Sequence, residues 1–195
     1  MPVAMICALV LAAGGSRRFG KTKQLALLEG RPLLEHALRA VRDAPGITRV
    51  VVVLGAEAEA VAAGVDLSGT ETVVALDWEE GIAASLRAGI AAVSDADAVV
   101  VILGDQPGVT RKAVDAVLRR VCESATTAAR ATYDGVPGHP VAIRRELFGE
   151  VARLRGDLGA RDLLEAHGVV AVECGDLARP DDIDTPADLE ALAPE

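Results

Sequence analysis

A strand that runs directly into a basic, glycine-rich loop constrains the fold of this chain most strongly. The apolar run at residues 5–10 is followed by residues 11–23, LAAGGSRRFGKTK, which carry two arginines and two lysines. Glycine and alanine allow the backbone to approach a ligand closely and to turn its N–H groups towards an anion. Arginine and lysine add charge that matches phosphate oxygens. This order predicts a binding site for the phosphates of a nucleotide.

Two nucleotide-binding patterns overlap in this segment. Residues 15–22 fit G-x-x-x-x-G-K-[ST], the P-loop, in which Lys21 would meet phosphate. Bulky Arg-Arg-Phe at the variable positions fits this pattern poorly, because a P-loop wraps its backbone around phosphate. The sequence Gly30-Arg31-Pro32 also interrupts the helix that a P-loop lysine should open. A plain glycine-rich turn with solvated charges is a further interpretation, which the basic cluster disfavours.

The second pattern is L-A-A-G-x-S-x-R-x-G-x-x-K, and every defined position of it is filled. It resembles the signature of nucleotidyltransferases with a Rossmann-like fold, and it assigns the phosphate to Lys23 instead of Lys21. The matching residues are Leu11, Ala12, Ala13, Gly14, Ser16, Arg18, Gly20 and Lys23.

Size and composition limit what surrounds this loop. A chain of 195 residues suits one domain, residues 1–195. It is 51% hydrophobic but only 2% aromatic, which favours an aliphatic core of helices packed on parallel strands. The net charge of −9 disfavours nucleic acid and anionic membranes as partners. Because neither a signal peptide nor an apolar span of membrane length occurs, we expect a cytoplasmic protein. The three cysteines lack C-x-x-C spacing and are expected to be small buried hydrophobes.

Apolar runs of strand length alternate with helical patterns along the chain, which predicts an α/β domain. The predicted strands include residues 49–54 and 98–103, and the predicted helices include residues 33–41 and 146–154. Residues 134–140, DGVPGHP, predict a turn-rich loop before a short strand at residues 141–143. Since that strand begins at a proline after so tight a loop, we expect it to be antiparallel.

Asp105 stands where the most hydrophobic predicted strand ends. In open α/β sheets, the carboxyl ends of central parallel strands face the crevice that binds ligands. A carboxylate there, opposite a triphosphate site, is a natural ligand for Mg²⁺. The alternative role, capping the next helix, suits Thr110 better. Asp105 also resembles the acidic residue of a Walker B strand, so it does not by itself exclude the P-loop.

Four groups of motifs stand in order along the chain and together resemble one family. They are LAAGGSRRFGKTK, GIAASL, LGDQP with GHP, and RGDLGAR followed by DIDTPADL. This set is similar to the MobA-like nucleotidyltransferases, and most similar to the molybdenum cofactor cytidylyltransferases of the MocA type. The resemblance covers essentially the whole chain and displaces the P-loop, which explains nothing after Asp105.

The resemblance implies a Rossmann-like three-layer sandwich of the nucleotide-diphospho-sugar transferase type, with a mostly parallel sheet and one antiparallel strand. It implies Mg²⁺-dependent transfer of CMP from CTP to molybdenum-loaded molybdopterin, with release of pyrophosphate. The implied catalytic residues are Arg18, Lys23 and Asp105; the nucleotide-binding residues are Leu11, Ala12, Ala13, Gly14, Gly15, Ser16, Lys23 and Ser85. The implied metal ligands are Asp105 and Asp184, and the implied acceptor-binding residues are His139, Asp157 and Arg161.

Several alternatives stay open at the level of sequence. CTP is expected over GTP because GTP-using relatives tend to have LAGG where this chain has LAAG, and the Ala13 methyl would crowd a purine. Another phosphorylated metabolite is a possible acceptor. A P-loop phosphotransferase and a non-catalytic nucleotide-binding chaperone for a molybdoenzyme belong to other classes. For the cytidylyltransferase, a molybdoenzyme is an expected partner that receives the product. An NAD-dependent oxidoreductase is the weakest alternative, because the first turn lacks G-x-G-x-x-G.

Overall fold

The first strand of the chain consists entirely of apolar residues, and this places it at the centre of a sheet. In the computed structural model, which describes residues 5–156 and 159–192, every residue of this strand, Ile6–Ala12, is buried. A strand without polar residues suits a position where both faces of the sheet are covered. It pairs in parallel with Ile47–Leu54 on one side and with Ala98–Leu103 on the other.

The strands and helices alternate as the sequence predicts. The strands are β1 (Ile6–Ala12), β2 (Leu27–Leu28), β3 (Arg31–Pro32), β4 (Ile47–Leu54), β5 (Glu71–Val74), β6 (Ala98–Leu103), β7 (Ala128–Tyr133), β8 (Val136–Arg144) and β9 (Val170–Glu173). The helices are α1 (Leu33–Arg42), α2 (Ala58–Gly64), α3 (Ile82–Ala92), α4 (Arg111–Glu123), α5 (Phe148–Val151), α6 (Gly159–Ala166) and α7 (Pro186–Leu192).

Seven strands form one sheet in the order β5-β4-β1-β6-β8-β7-β9. All of them are parallel except β8, which is antiparallel to both β6 and β7. The expected mostly parallel sheet with one antiparallel strand is therefore confirmed. At the carboxyl edge Leu11 lies beside Val53 and Leu103. The loops that follow β1 and β6 consequently emerge next to each other, where such sheets bind ligands.

Alternate residues of β1 face two separate cores, one on each side of the sheet. Ala8 and Val10 pack with α1 and α4, whereas Cys7 and Leu9 pack with α3 and α5. The three-layer architecture is thus confirmed. Of the free cysteines, Cys7 and Cys174 are buried and Cys122 is partly exposed, as small apolar side chains would be. No helix among residues 5–156 and 159–192 is long and apolar enough to cross a membrane.

Two predicted elements were wrong in extent. Residues 134–140 are not a loop: β8 begins at Val136, directly opposite Tyr133 of β7. Only Asp134 and Gly135 form the turn, with φ of 51° and 78°, as expected for the two-residue Asp-Gly hairpin. The helix predicted at residues 146–154 is a 3₁₀ turn followed by the short helix α5.

Candidate functional site

The loop after β1 is held in shape by the side chain of Gln24, which is only 2% exposed. Its Nε2 donates hydrogen bonds to the carbonyl oxygens of Ala12 at 2.9 Å and Gly14 at 3.1 Å. The Ser16 hydroxyl accepts a hydrogen bond from the backbone N–H of Lys23 at 3.1 Å. These bonds close residues 12–24 into a fixed loop over the end of β1. No sequence motif pointed to Gln24, since its role depends on where the loop folds back.

Close packing explains why small residues are needed in this loop. A Cβ added to Gly15 would stand 2.9 Å from the indole of Trp78, and one added to Gly55 would stand 2.6 Å from the Ala13 carbonyl oxygen. A Cβ on Gly14 would meet nothing within 4 Å, because this residue borders open space. Gly14 therefore leaves room for a ligand, whereas Gly15 lets Trp78 pack against the loop. Trp78 is half-buried against the core, as expected from the sequence.

Lys23 lies at the centre of a cluster of charged side chains. Its Nζ is 2.6 Å from Asp105 Oδ2 and 3.2 Å from Asp184 Oδ1, while Arg18 reaches Asp184 Oδ2 at 2.7 Å. Burial lowers the pKa of Lys23, but the two carboxylates outweigh this effect, so its pKa is raised and the ammonium stays charged. The structure thus brings together all four of the charged residues predicted for catalysis and metal binding.

These side chains line a cavity of about 230 Å³, the phosphate-loop cavity. Its lining residues are Leu11, Ala12, Gly14, Gly15, Ser16, Arg17, Arg18, Lys23, Gln24, Gly104, Asp105 and Asp184. The cavity therefore combines exposed backbone, cations and carboxylates at the carboxyl ends of β1 and β6. This combination suits a nucleotide triphosphate.

Two predicted nucleotide-binding residues are not part of this cavity. Ala13 is 3% exposed and packs into the core, so its methyl group does not supply the expected steric exclusion of a purine. Ser85 lies in α3, is 6% exposed, and lines neither this cavity nor its neighbour. The sequence identified the motifs around both residues but not the directions of their side chains.

The neighbouring cavity is larger, about 460 Å³, and most of its walls are apolar. We call it the acceptor cavity. Its lining residues are Leu11, Ile82, Leu86, Val101, Leu103, Gln106, Arg130, Val136, Pro137, Gly138, His139, Val141, Ile143, Val151, Leu154, Arg161, Leu163, Leu164, Pro180 and Asp182. It shares Leu11 with the phosphate-loop cavity. Of the predicted acceptor residues, His139 and Arg161 line it, whereas Asp157 lies outside the described residues.

His139 is held as a neutral imidazole. Its pKa is lowered to about 4, chiefly by burial and also by the charge of Arg130, against the opposing effect of Asp105. Its backbone carbonyl accepts a 2.6 Å hydrogen bond from the Tyr133 hydroxyl. Residue 139 therefore acts at neutral pH as a fixed, uncharged hydrogen-bonding group in the cavity wall, which disfavours a role as a cationic phosphate ligand.

The carboxylates of the phosphate-loop cavity fit a divalent cation that also binds phosphate. Among residues 5–156 and 159–192, no three His, Cys, Asp or Glu side chains converge to form a complete metal site. Asp105 Oδ1, however, is buried and has no hydrogen-bond partner within the described chain. Mg²⁺ typically takes one or two carboxylates and completes its shell with substrate phosphates and water. Asp105 and Asp184 match that incomplete protein shell.

Gln106 and Asp182 line the acceptor cavity and lie next to, or two residues before, the carboxylates of the phosphate-loop cavity. Neither was predicted from sequence. Gln106 is 4% exposed, and its Nε2 donates a 2.8 Å hydrogen bond to Asp182 Oδ1. The backbone N–H of Ile183 donates to the Asp105 carbonyl oxygen at 3.1 Å. These bonds fix the segment that carries Asp184 against the end of β6. Gln106 lies within the LGDQP motif and Asp182 is the first residue of DIDTP, so these motifs were the available signal.

A mostly parallel sheet with a basic loop and paired carboxylates at its carboxyl edge defines the class of nucleotidyltransferases. The chain belongs to the family of the MobA-like NTP transferase domain, whose model matches residues 8–172. This confirms the resemblance seen in the sequence.

Individual relatives agree over nearly the full chain. The nicotine blue oxidoreductase of Paenarthrobacter nicotinovorans is 34% identical over 191 residues, 92% of each chain. The crystal structure of Rv0371c from Mycobacterium tuberculosis H37Rv has a TM-score of 0.85 and 38% identity, covering 98% of each chain. A structure of Rv0371c in complex with manganese has a TM-score of 0.80 and 36% identity, covering 96% of this chain and 97% of that one.

Proposed function

We propose that this protein transfers CMP from CTP to the phosphate of molybdenum-loaded molybdopterin, with release of pyrophosphate. The observation that carries the proposal is the cluster of Arg18, Lys23, Asp105 and Asp184 in a cavity that shares Leu11 with a second, apolar cavity. Adjacent cavities of this kind suit a transfer between a triphosphate and a phosphorylated acceptor bound beside it. The membership of the chain in a nucleotidyltransferase family supports the reaction type.

The chemistry needs charge neutralisation more than proton transfer. An oxygen of the acceptor phosphate attacks the α-phosphorus of the nucleotide and forms a new P–O bond. The bond from that phosphorus to the bridging oxygen breaks, and pyrophosphate leaves with the electron pair. Because the acceptor phosphate is ionised at neutral pH, no strong general base is required. The neutral His139 is consistent with this, and we assign it an acceptor contact.

Arg18 and Lys23 would donate hydrogen bonds to the triphosphate and stabilise the charge that develops on the leaving group. Binding of substrate would then replace their ion pairs with Asp105 and Asp184, freeing both carboxylates. A divalent cation held by these carboxylates would supply further positive charge between the anionic reactants. The manganese complex of Rv0371c supports a divalent cation in the family, and we propose Mg²⁺ for this chain.

Pyrophosphate release tests this proposal directly. We expect release that requires Mg²⁺, CTP and molybdenum-loaded molybdopterin together, and that is slower with GTP. Faster turnover of GTP would overturn the choice of nucleotide. Orthophosphate from ATP or GTP without pyrophosphate would instead indicate a phosphotransferase. Binding of CTP without any product would indicate the non-catalytic nucleotide-binding chaperone.

A second candidate activity is reduction of a planar heterocyclic compound. It is favoured by one observation, the 34% identity over 92% of each chain to the nicotine blue oxidoreductase. The first turn has no G-x-G-x-x-G sequence for a dinucleotide, which argues against it. Consumption of NADH or NADPH with a heterocyclic dye in the absence of CTP, followed at 340 nm, would establish this activity. This activity would be rejected if NADH and NADPH are not consumed and pyrophosphate is released in the presence of CTP.

A further inference from the structure

Arg130 occupies an unusual place for an arginine. It lies in the middle of β7, opposite Val141 of β8 and beside Ala171 of β9. Its neighbours Ala129 and Ala131 point into the core under α1 and α4, so alternation directs Arg130 to the other face of the sheet. There it lines the acceptor cavity among aliphatic side chains.

This guanidinium has no counterion in the part of the chain that the structure describes. No carboxylate and no carbonyl among residues 5–156 and 159–192 forms an ion pair or hydrogen bond with its side chain. The other half-buried arginines all have partners: Arg49 and Arg87 form ion pairs with Glu71 and Glu80. Arg42 and Arg144 donate hydrogen bonds to backbone carbonyl oxygens. A half-buried positive charge on an apolar cavity wall costs free energy unless an anion neutralises it.

The surroundings indicate what that anion belongs to. His139 lies close enough to both Arg130 and Asp105 for their charges to act on it, and it lines the same cavity as Arg130. Neutral His139 offers no competing charge. Aliphatic residues such as Leu86, Val141 and Leu164 form the remaining wall. An occupant would therefore present a surface that packs against aliphatic side chains and carry an anionic group at the end that faces Arg130.

We propose that Arg130 is a specificity-determining residue that forms an ion pair with an anionic group of the acceptor. This inference rests on the proposed function for the meaning of "acceptor", but the contact itself is a binding event and does not depend on turnover. Guanidinium pairs oxyanions in a bidentate manner, which would orient the acceptor as well as attract it. The residue has no part in binding CTP.

The three histidines of the chain, His36, His139 and His167, allow the contact to be observed without catalysis. In ¹H–¹³C NMR spectra of the full chain, the His139 ring reports on the acceptor cavity, while the other two rings lie outside both cavities. The probes are inorganic phosphate and, separately, molybdenum-loaded molybdopterin. The variants are Arg130→Gln, the charge-conserving Arg130→Lys, and Arg119→Gln as an exposed control on α4.

For Arg130→Gln we expect the half-saturating concentration of either probe at His139 to rise about tenfold to a hundredfold, as for a lost charge-assisted hydrogen bond. Arg130→Lys should lie between this variant and the wild type, and Arg119→Gln should match the wild type. In turnover, the KM for molybdopterin should rise with the same factor while the KM for CTP is unchanged.

Equal titration curves for wild type and Arg130→Gln would overturn the inference, as would a wild-type His139 signal that neither probe shifts. An equal rise in the KM for CTP would also contradict it, since that result indicates a structural role. Titration at His139 that depends on Arg130, without pyrophosphate release from any nucleotide, would leave the anion contact standing and reject the proposed function alone.

Discussion

The two cavities are built in opposite ways, although they share Leu11. The phosphate-loop cavity is formed mostly by one continuous segment, residues 11–24, and its cations are already paired with carboxylates. The acceptor cavity is assembled from β6, β7, β8, α3, α5 and α6, and its walls are largely apolar around the unpaired Arg130. The first cavity therefore suits the negatively charged phosphates that every nucleotide triphosphate carries. The second selects by shape and by a few polar contacts.

The largest effect is expected at Asp105, which lines the phosphate-loop cavity. Asp105→Ala removes a buried carboxylate with an unpartnered oxygen and should abolish pyrophosphate release, by on the order of 10³-fold or more, while the fold stays intact. Titration of activity with Mg²⁺ and Mn²⁺, with circular dichroism as a check on folding, measures this. Asp176→Asn is the matched control, because Asp176 is an exposed carboxylate that lines neither cavity. Retained Mg²⁺-dependent turnover in Asp105→Ala would refute the metal assignment.

Lys23 should follow, with a loss of about 10²- to 10³-fold in kcat/KM for Lys23→Ala, corresponding to a few kcal/mol of transition-state stabilisation. Its ammonium neutralises both Asp105 and Asp184 in the free protein and is placed to meet phosphate when substrate binds. The control is Lys21→Ala, since Lys21 is exposed and lies over the ring of Phe19, 5.9 Å from its centroid. A large loss at Lys21 with near-normal kinetics at Lys23 would restore the P-loop interpretation.

The same contrast between the cavities explains how far the sequence alone was informative. Local patterns were enough to locate the phosphate loop, because Ser16, Arg18 and Lys23 lie within one short segment of the chain. They also sufficed for the parallel strands, whose runs of valine and leucine are buried on both faces. Asp105 was predictable because the end of a central strand has a known position relative to the crevice.

Contacts that depend on tertiary packing were not predictable in this way. Gln24 can hydrogen-bond Ala12 and Gly14 only because the loop folds back over them. Arg130 has no motif, since its place in the acceptor cavity depends on the pairing of β7 with β8. Ser85 lies within a recognisable motif, yet the rotation of α3 turns it away from both cavities. Motifs thus identify segments more reliably than they identify side-chain directions.

A smaller effect, on stability, is expected from Gln24→Ala. The carbonyl oxygens of Ala12, at a buried hydrogen bond, and of Gly14, at a partly buried one, would lose their donor. This should lower the free energy of unfolding by about 1–3 kcal/mol. Gln106→Ala is the matched comparison in the acceptor cavity, because Gln106 donates one side-chain hydrogen bond, to Asp182. Urea unfolding followed by circular dichroism measures both. A loss at Gln106→Ala that equals or exceeds the loss at Gln24→Ala would contradict the view that the phosphate loop is the more rigid region.

The last expected effect concerns the pH dependence of stability and the protonation of His139 in the acceptor cavity. The pKa of His139 is about 4 in the folded protein against an ordinary value of 6.5, so folding favours the neutral ring. Its contribution to stability is therefore present above pH 6.5 and is lost as the pH falls from 6.5 towards 4. We expect the His139→Asn variant to lose less stability than the wild type between pH 7 and pH 4.5, measured by urea unfolding at each pH. Carboxylates titrate over part of the same range in both proteins, so the difference between the two curves isolates the imidazole. Identical curves would show that the acceptor cavity does not hold His139 neutral, and a charged histidine would then compete with Arg130 for the anion.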